Sequence, residues 1–341
     1  MCACVAIVYN KPVPSRYDTL GEEKAVIGVL DAVKAVHTSL LELGYDVTLV
    51  PLVPPLEQVK RTLQSLKVDL VFNLFEGLCG YPETEALVPE FLSEMAIPYT
   101  GCPGTAIRLA LDKAETKLSL KAAGIQTPDF QLLNPETLST FQLNYPCIVK
   151  PRNEGGSHGL SSESMVSDFA ALEKRVRFVT NSYSGGALVE EFIDGREFNA
   201  AVLGNSECAV LPVSEIIYSL PPEMPRIVTF AAKWEPDSLY FQSTKVACPA
   251  DVSAEERENI AQTVVMAFRL IGCRGYARVD MRMNQEGRLN VIEVNTNPDI
   301  SPGNGAARQA EASGMTYTQF IEKILQLALE GKQQCLSTSV P

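Results

Sequence analysis

Histidine is almost missing from this chain: His37 and His158 are the only two among 341 residues. A histidine-based triad or a multi-histidine metal centre is therefore close to excluded. No C-x-x-C occurs among the nine cysteines, an odd number. Several lie inside apolar runs, as Cys147 does in YPCIVK, so reduced thiols in a cytoplasmic compartment are expected, not a disulfide framework or a zinc site. The pair Cys2 and Cys4 at the terminus reads as incidental, not as a metal clip. There is no G-x-G-x-x-G after the first strand and no G-x-x-x-x-G-K-[ST] anywhere, which argues against a dinucleotide site and a Walker loop. No apolar run reaches the roughly 20 residues needed to cross a bilayer, and residues 1–10 lack the charged start of a signal peptide. Positive charge is also in short supply. With 29 Lys and Arg against 41 Asp and Glu, the net charge is −12. Nucleic acid and anionic membranes are poor partners for such a surface, although an anionic nucleotide needs only a local cationic cluster.

What is present is ordinary for a globular protein, at 46% hydrophobic and 21% charged residues. The length suits two or three domains. Cys4–Tyr9, Tyr45–Leu49 and Asp69–Leu74 read as strands, separated by helices over Glu22–Leu43 and Leu56–Leu66. This β-α-β-α-β order predicts a parallel α/β unit. Glu76–Glu85 follows the third strand, where open α/β sheets place ligands, so it is either a substrate loop or a plain connector. A helix over Ala86–Met95 and a short strand at Pro98–Thr100 complete the unit. One helix is expected over Thr105–Ala123, carrying Lys113. The strand Tyr145–Pro151 brings Lys150 to the start of RNEGGSHGLSS, which reads as a phosphate cradle or a mobile turn. In that loop His158 is as well explained by exposure as by ligation. A surface helix over Ser167–Thr180 precedes strands at Ala187–Phe192, Glu197–Leu203 and Cys208–Val213, the mark of an antiparallel sheet. Residues 219–245 look irregular, and Trp234 there reads as part of a lid or as packing. Helices are expected over Ala254–Ile271 and Tyr317–Leu329, with a disordered tail at 333–341.

The stretch with the most chemistry is Arg274–Pro302. Charged and apolar residues alternate in Arg278–Met281 and again in Val291–Asn295, as in two half-buried strands. A turn at Glu286-Gly287 would set Asp280 opposite Glu293 and Arg278 opposite Asn295, with facing Cβ atoms about 5 Å apart. A bulge at Gly287 would shift that register. Two facing carboxylates and an amide oxygen suit a hard cation such as Mg²⁺. A solvated charged hairpin fits the spacing equally well. The apolar character of both strands and the turn-rich NTNPDISPG after them favour a site.

These residues belong to an ordered set of motifs: IPYTG (97–101), LDKAETK (111–117), YPCIVKPRNEGGSHGLS (145–161), LVEEFIDGREFNAAVLG (188–204), FAAKW (230–234) and GCRGYARVD with VIEVNTNP (272–298). Together they resemble ATP-grasp enzymes, most closely D-alanine–D-alanine ligases. The resemblance implies an N-terminal parallel α/β domain (1–104), then the two α+β subdomains of an ATP-grasp fold (105–186 and 187–332). It also implies roles. Lys113, Lys150 and Lys233 would contact ATP phosphates beneath the loop with Ser157. Glu190, Glu191 and Phe192 would meet adenine, with Glu197 on the ribose. Asp280, Glu293 and Asn295 would hold two Mg²⁺, with Mn²⁺ as an alternative. Arg278 and Lys150 would be catalytic, and Glu76, Arg278, Asp299 and Asn304 would contact substrate.

The implied reaction is phosphorylation of a carboxylate and attack of an amine on the acyl phosphate, giving an amide, ADP and phosphate. A homodimer is expected through the resemblance alone. Departures gather at the amino-acid end. The family's Gly-Gly and Ser-x-Glu segment is replaced by YNKPVPSRYDTLGEE, and Glu76-Gly77 stands where the family has His-Gly. Gly156 replaces a loop serine, Trp234 a lid tyrosine, and Asp299 a glycine. A ligase with a substrate other than paired D-alanine is the leading expectation, against a true D-alanine–D-alanine ligase or a non-catalytic ATP-binding scaffold.

Overall fold

Apolar runs open the chain, and two of them become the buried strands of a parallel sheet, as such runs require, with a largely exposed edge strand beside them. A computed structural model describes residues 3–183 and 185–337; Cys2 and residues 338–341 lie outside them. β1 (Cys4–Asn10), β2 (Asp46–Leu52) and β3 (Leu70–Leu74) form a parallel sheet of order β2-β1-β3. Helices α1 (Glu23–Glu42) and α2 (Leu56–Gln64) make the crossovers, and α3 (Leu87–Glu94) follows β3. The strand expected at Pro98–Thr100 shrinks to one bridge, Val71 with Tyr99.

The single helix expected over Thr105–Ala123 is two helices, α4 (Gly104–Leu111) and α5 (Lys113–Ala122). Asp112 breaks them. Its backbone is extended, and its carboxylate accepts from the N–H groups of Ala114 and Glu115 at 3.1 and 3.2 Å. An aspartate cap followed three residues later by glutamate starts a new helix in preference to continuing the old one. The same carboxylate takes a bidentate bond from Arg152 at 2.8 and 2.6 Å. Lys113 is thereby fixed on the first turn of α5, beside the strand that carries Lys150.

β4 (Phe130–Leu133), β5 (Cys147–Pro151), β6 (Met165–Val166) and β7 (Ala187–Glu191) form an antiparallel sheet of order β4-β7-β5-β6, with α6 (Phe169–Ser182) packed on it. β4 was not anticipated. A larger antiparallel sheet follows, from β8 (Gly195–Gly204), β9 (Cys208–Val210), β10 (Ser214–Tyr218) and β11 (Thr244–Ala247). The segment read as irregular holds β11 and two short helices, α7 (Phe230–Trp234) and α8 (Leu239–Ser243). α9 (Ala254–Ile271) starts at a Ser253–Glu256 capping box and ends at Gly272 with φ 76°, as its sequence demands. The sheet closes with β12 (Gly275–Asn284) and β13 (Leu289–Asn295), in the order β11-β10-β8-β12-β13 with β9 beside β8.

Two helices end the described chain, α10 (Gly305–Ala312), which was not foreseen, and α11 (Tyr317–Ser337). α11 runs into the expected disordered tail as far as Ser337. The N-terminal sheet does not stand apart: Val5, Ile7, Val36 and Leu40 share a core with Tyr276, Phe320 and Ile324. Burial of each such side chain contributes about 1.5–3 kcal/mol, so the parallel unit is held firmly against the last sheet. None of the helices among the described residues is long and apolar enough to cross a membrane. Cys79, Cys102, Cys147, Cys208, Cys248 and Cys273 are free thiols.

Candidate active site

The hairpin register is the expected one where it matters. Arg278 pairs with Asn295 and Asp280 with Glu293. The route to it differs. The turn spans Asn284–Arg288, closed by bonds between Asn284 and Arg288 and between Gly287 and Asn284, and near it the strands pair one residue off, Met281 with Val291. A bulge between Asp280/Met281 restores the other register, so the irregularity sits at Ile292, not at Gly287. The extra residue leaves Ile292 and Glu293 both half-buried and both lining the cavity.

Arg278 clamps Asp280, two residues along the same strand face, with bonds of 2.7 and 2.8 Å. Burial lowers the Arg278 pKa, but Asp280, Glu293 and Asp299 outweigh it and hold the guanidinium firmly charged. Glu293 lies 3.0 Å from Lys113 Nζ. Burial alone would raise its pKa; Lys113, Lys150 and Lys233 reverse this and bring it down to about 2. Lys113 also donates to the carbonyl of Glu154.

Beneath them lies a buried ionic triad. Glu190 is 1% exposed, and Oε1 is 3.0 Å from the ammonium of Lys117 and 3.0 Å from that of Lys150. Burial pushes the Glu190 pKa up, and the two lysines hold it below the ordinary carboxylate value. The carboxylate expected to meet adenine is thus occupied in placing Lys150. Its neighbour Glu191 turns to Asn144, accepting from the backbone N–H at 3.0 Å and from Nδ2 at 2.8 Å. Phe192 and Ile193 continue the cavity wall, and Arg282 stacks on the Phe192 ring at 4.4 Å. Glu197 accepts from Tyr218 at 2.8 Å and pairs with Arg282 at 3.2 Å. Its pKa is raised by burial, against the pull of Arg282 and Tyr218.

The glycine-rich loop and the segment before α8 meet across the cavity mouth. Ser157 Oγ donates to the Val228 carbonyl at 3.0 Å, and Trp234 Nε1 donates to the Gly156 carbonyl at 3.1 Å. The indole also lies against Gly28 of α1, where an added Cβ would come within 2.9 Å. Lys233 reaches the same space, its pKa lowered by burial and by Arg278. His158 is buried, not exposed: it is 8% exposed, with Nδ1 bonded to Glu22.

At the far end stand Glu76, Glu85, Asp299 and Asn304. Glu76 opens onto the cavity, yet the protein packed around it, then Asp299 and Glu85, push its carboxyl up to about 8. Burial raises Glu85 to about 7, partly offset by a 2.9 Å bond from Asn297. Asp299 is held by the Ser301 N–H at 2.7 Å and Asn304 Nδ2 at 3.0 Å. Lys113, Lys150, Ser157, Glu190, Glu191, Phe192, Glu197, Lys233, Glu76, Arg278, Asp299, Asn304, Asp280, Glu293 and Asn295 all line one cavity of about 690 Å³. No residue proposed from the sequence falls elsewhere.

The family model for the D-ala D-ala ligase C-terminus matches residues 119–326. The chain belongs to the D-alanine–D-alanine ligase family. An uncharacterized protein, y4sG, from Sinorhizobium fredii is 35% identical over 296 residues, covering 86% of this chain and 83% of that one. A D-alanine–D-alanine ligase from Haemophilus influenzae is 30% identical over 304 residues, covering 87% and 94%. A crystal structure of D-alanine–D-alanine ligase from Bacillus anthracis complexed with ATP shares the fold, with a TM-score of 0.74 at 20% identity over 98% of this chain and 99% of that one.

Within the family frame, sequence reasoning missed several residues that build the site. Lys117 sits inside a quoted motif, but nothing in its spacing says that α5 would turn it onto Glu190. Glu85 and Asn297 are joined only by the fold, 212 residues apart. The Asp112 break was legible as an aspartate three residues before Glu115.

Proposed function

We propose that this protein is an ATP-dependent, ADP-forming carboxylate–amine ligase whose substrates differ from a pair of D-alanines. The observation that supports it is one cavity lined at once by three lysines, the Asp280–Glu293–Asn295 face and Arg278. Lys113, Lys150 and Lys233 are suited to grip the triphosphate, and Glu190 keeps Lys150 in place. The γ-phosphoryl group passes to a substrate carboxylate, converting a poor electrophile into an acyl phosphate with ADP as leaving group. An amine attacks the acyl carbon, a proton leaves the nitrogen, and phosphate departs. Arg278, charged and aimed between the two ends, would stabilise the oxyanion of that attack.

Among the described residues no group of three or more His, Cys, Asp or Glu gathers as a ready metal site. Two carboxylates and one amide do converge on one strand face, an all-oxygen set that fits Mg²⁺ and leaves positions for phosphate oxygens. Bound there, Mg²⁺ would neutralise phosphate charge.

Glu76, Glu85 and Asp299 crowd three carboxyl groups at the acceptor end; a substrate with an additional positive charge would draw the protons off Glu76 and Glu85, whereas an additional carboxylate would add to the crowding. Cytoplasmic action, the 1–104, 105–186 and 187–332 division and a homodimer belong to the same reading. The test is ADP release with Mg·ATP across amino acids, hydroxy acids and peptides. Release with a substrate other than D-alanine supports the proposal; steady D-alanyl-D-alanine formation returns the parent activity. Thermal stabilisation by ATP without turnover on any substrate points to a scaffold and refutes it.

A further inference from the structure

The glycines of the phosphate loop would leave it free to move, yet it is tied at nearly every residue, and the ties come from far away in sequence. Glu22, just ahead of α1 and 8% exposed, spends both carboxylate oxygens on it. Oε1 accepts from the Gly159 N–H at 2.9 Å. Oε2 accepts from Nδ1 of His158 at 2.8 Å and from the Tyr183 hydroxyl at 2.9 Å. The imidazole stacks on Tyr17 with ring centres 3.9 Å apart and planes 10° from parallel. Tyr17 in turn donates to Glu154 Oε2 at 2.6 Å, and Arg16 pairs with the same carboxylate while lying over the Tyr81 ring. From behind, Arg175 donates to the Gly159 carbonyl.

Three loops, 15–22, 76–85 and 154–159, are thus closed on one another from the N-terminal side. A carboxylate taken out of water needs such partners, because each unmet bond costs more than a made one returns. Two of the three bonds to Glu22 end on adjacent loop residues, His158 and Gly159. The third donor, Tyr183, follows α6 and backs the loop. The other end of the loop is tied to the site itself, through the bond from Lys113 to the Glu154 carbonyl.

We propose that Glu22 is the positioning residue that holds the phosphate loop closed from the N-terminal unit, with His158 as its contact on the loop. This rests on the proposed reading of that loop as the grip on the ATP triphosphate. The latch acts only on the triphosphate end, since none of its members reaches the Phe192–Glu197 wall.

The test measures binding of Mg·AMPPNP and of AMP by calorimetry, and amide hydrogen exchange over residues 153–160 without nucleotide. Wild type is compared with Glu22→Ala, Glu22→Gln and His158→Phe. Loss of the charge-assisted bonds is expected to weaken AMPPNP about tenfold or more in Glu22→Ala, with AMP within about twofold. Exchange at Gly155–Gly159 should accelerate. Glu22→Gln, which keeps an acceptor for Gly159, should fall between, and His158→Phe keeps the stacking but not the bond. Equal weakening of both nucleotides, or unchanged exchange, overturns the latch. Should Glu22→Ala not fold, His158→Phe decides by the same readings. Failure of wild type to bind either nucleotide would sink the ATP-site reading, and the latch would then stand or fall on the exchange rates alone.

Discussion

The Lys117–Glu190–Lys150 triad makes a prediction independent of any substrate. Both ammonium groups lie 3.0 Å from the same Glu190 oxygen, so they are no more than about 6 Å from each other. Glu190→Gln keeps the shape and removes the only negative charge between them. At an effective dielectric of about 20, two positive charges about 6 Å apart repel by about 3 kcal/mol. Breaking a buried ion pair typically costs about 3–5 kcal/mol. At about 2 °C per kcal/mol for a chain of this size, the melting temperature should fall by about 6–10 °C. Lys117→Met alone leaves Glu190 paired with Lys150 and should cost less, about 2–3 kcal/mol. In the Glu190→Gln background its sign should reverse, because it then removes the repulsion and replaces a stranded buried charge with an apolar side chain of similar length. Scanning calorimetry of wild type, both single variants and the double variant at pH 7 reads this directly as a coupling larger than the cost of Lys117→Met alone, more than about 3 kcal/mol. A Lys117→Met shift of the same sign and size in both backgrounds would refute the ionic account of the triad.

Glu293→Gln should cut ADP release at least about a hundredfold, by removing a proposed metal ligand and the charge facing Lys113. Glu293 has its pKa depressed to about 2, so its contribution to stability is present above the ordinary glutamate value and lost as pH falls through 2. The melting gap between wild type and this variant should therefore hold from pH 6 to 8 and narrow below about pH 4.5; a gap that widens in acid contradicts it. Glu76 behaves in the opposite way. Its pKa is raised to about 8, so its contribution is complete below the ordinary value and lost as pH rises through 8. Glu76→Gln should gain on wild type between pH 5 and pH 9 in thermal unfolding, and equal melting curves at both ends would count against the acidic wall.

The parallel unit and the alternation that gives Asp280 and Glu293 their strand faces were legible because they follow from period-2 and period-3.6 patterns, which are local; the order of the motifs was legible through the family resemblance. The break at Asp112 was hidden by continuous helix-forming residues on both sides, though its cap was readable. Strands Phe130–Leu133 and Ser214–Tyr218 gain their hydrogen bonds only from partners tens of residues away, and propensity gives them little voice. The turn was misplaced by one residue, and a bulge at Ile292 cancelled the error at the site; such compensation leaves no trace in composition. His158 looked exposed because glycines surround it, whereas its surroundings come from Glu22 and Tyr17, more than a hundred residues earlier. The pairing of Glu190 with Lys117 and Lys150 was not legible for the same reason. Its partners sit on α5 and β5, which only the fold brings together.

The central claim is that this hairpin face and these lysines share one triphosphate. A crystal structure with Mg·AMPPNP tests it most directly. The account predicts metal density bounded by Asp280, Glu293 and Asn295, with Lys113, Lys150 and Lys233 on phosphate oxygens and adenine between Phe192 and Ile292. Nucleotide bound elsewhere, or phosphates turned away from Glu293 with the Lys113 pair undisturbed, would contradict it.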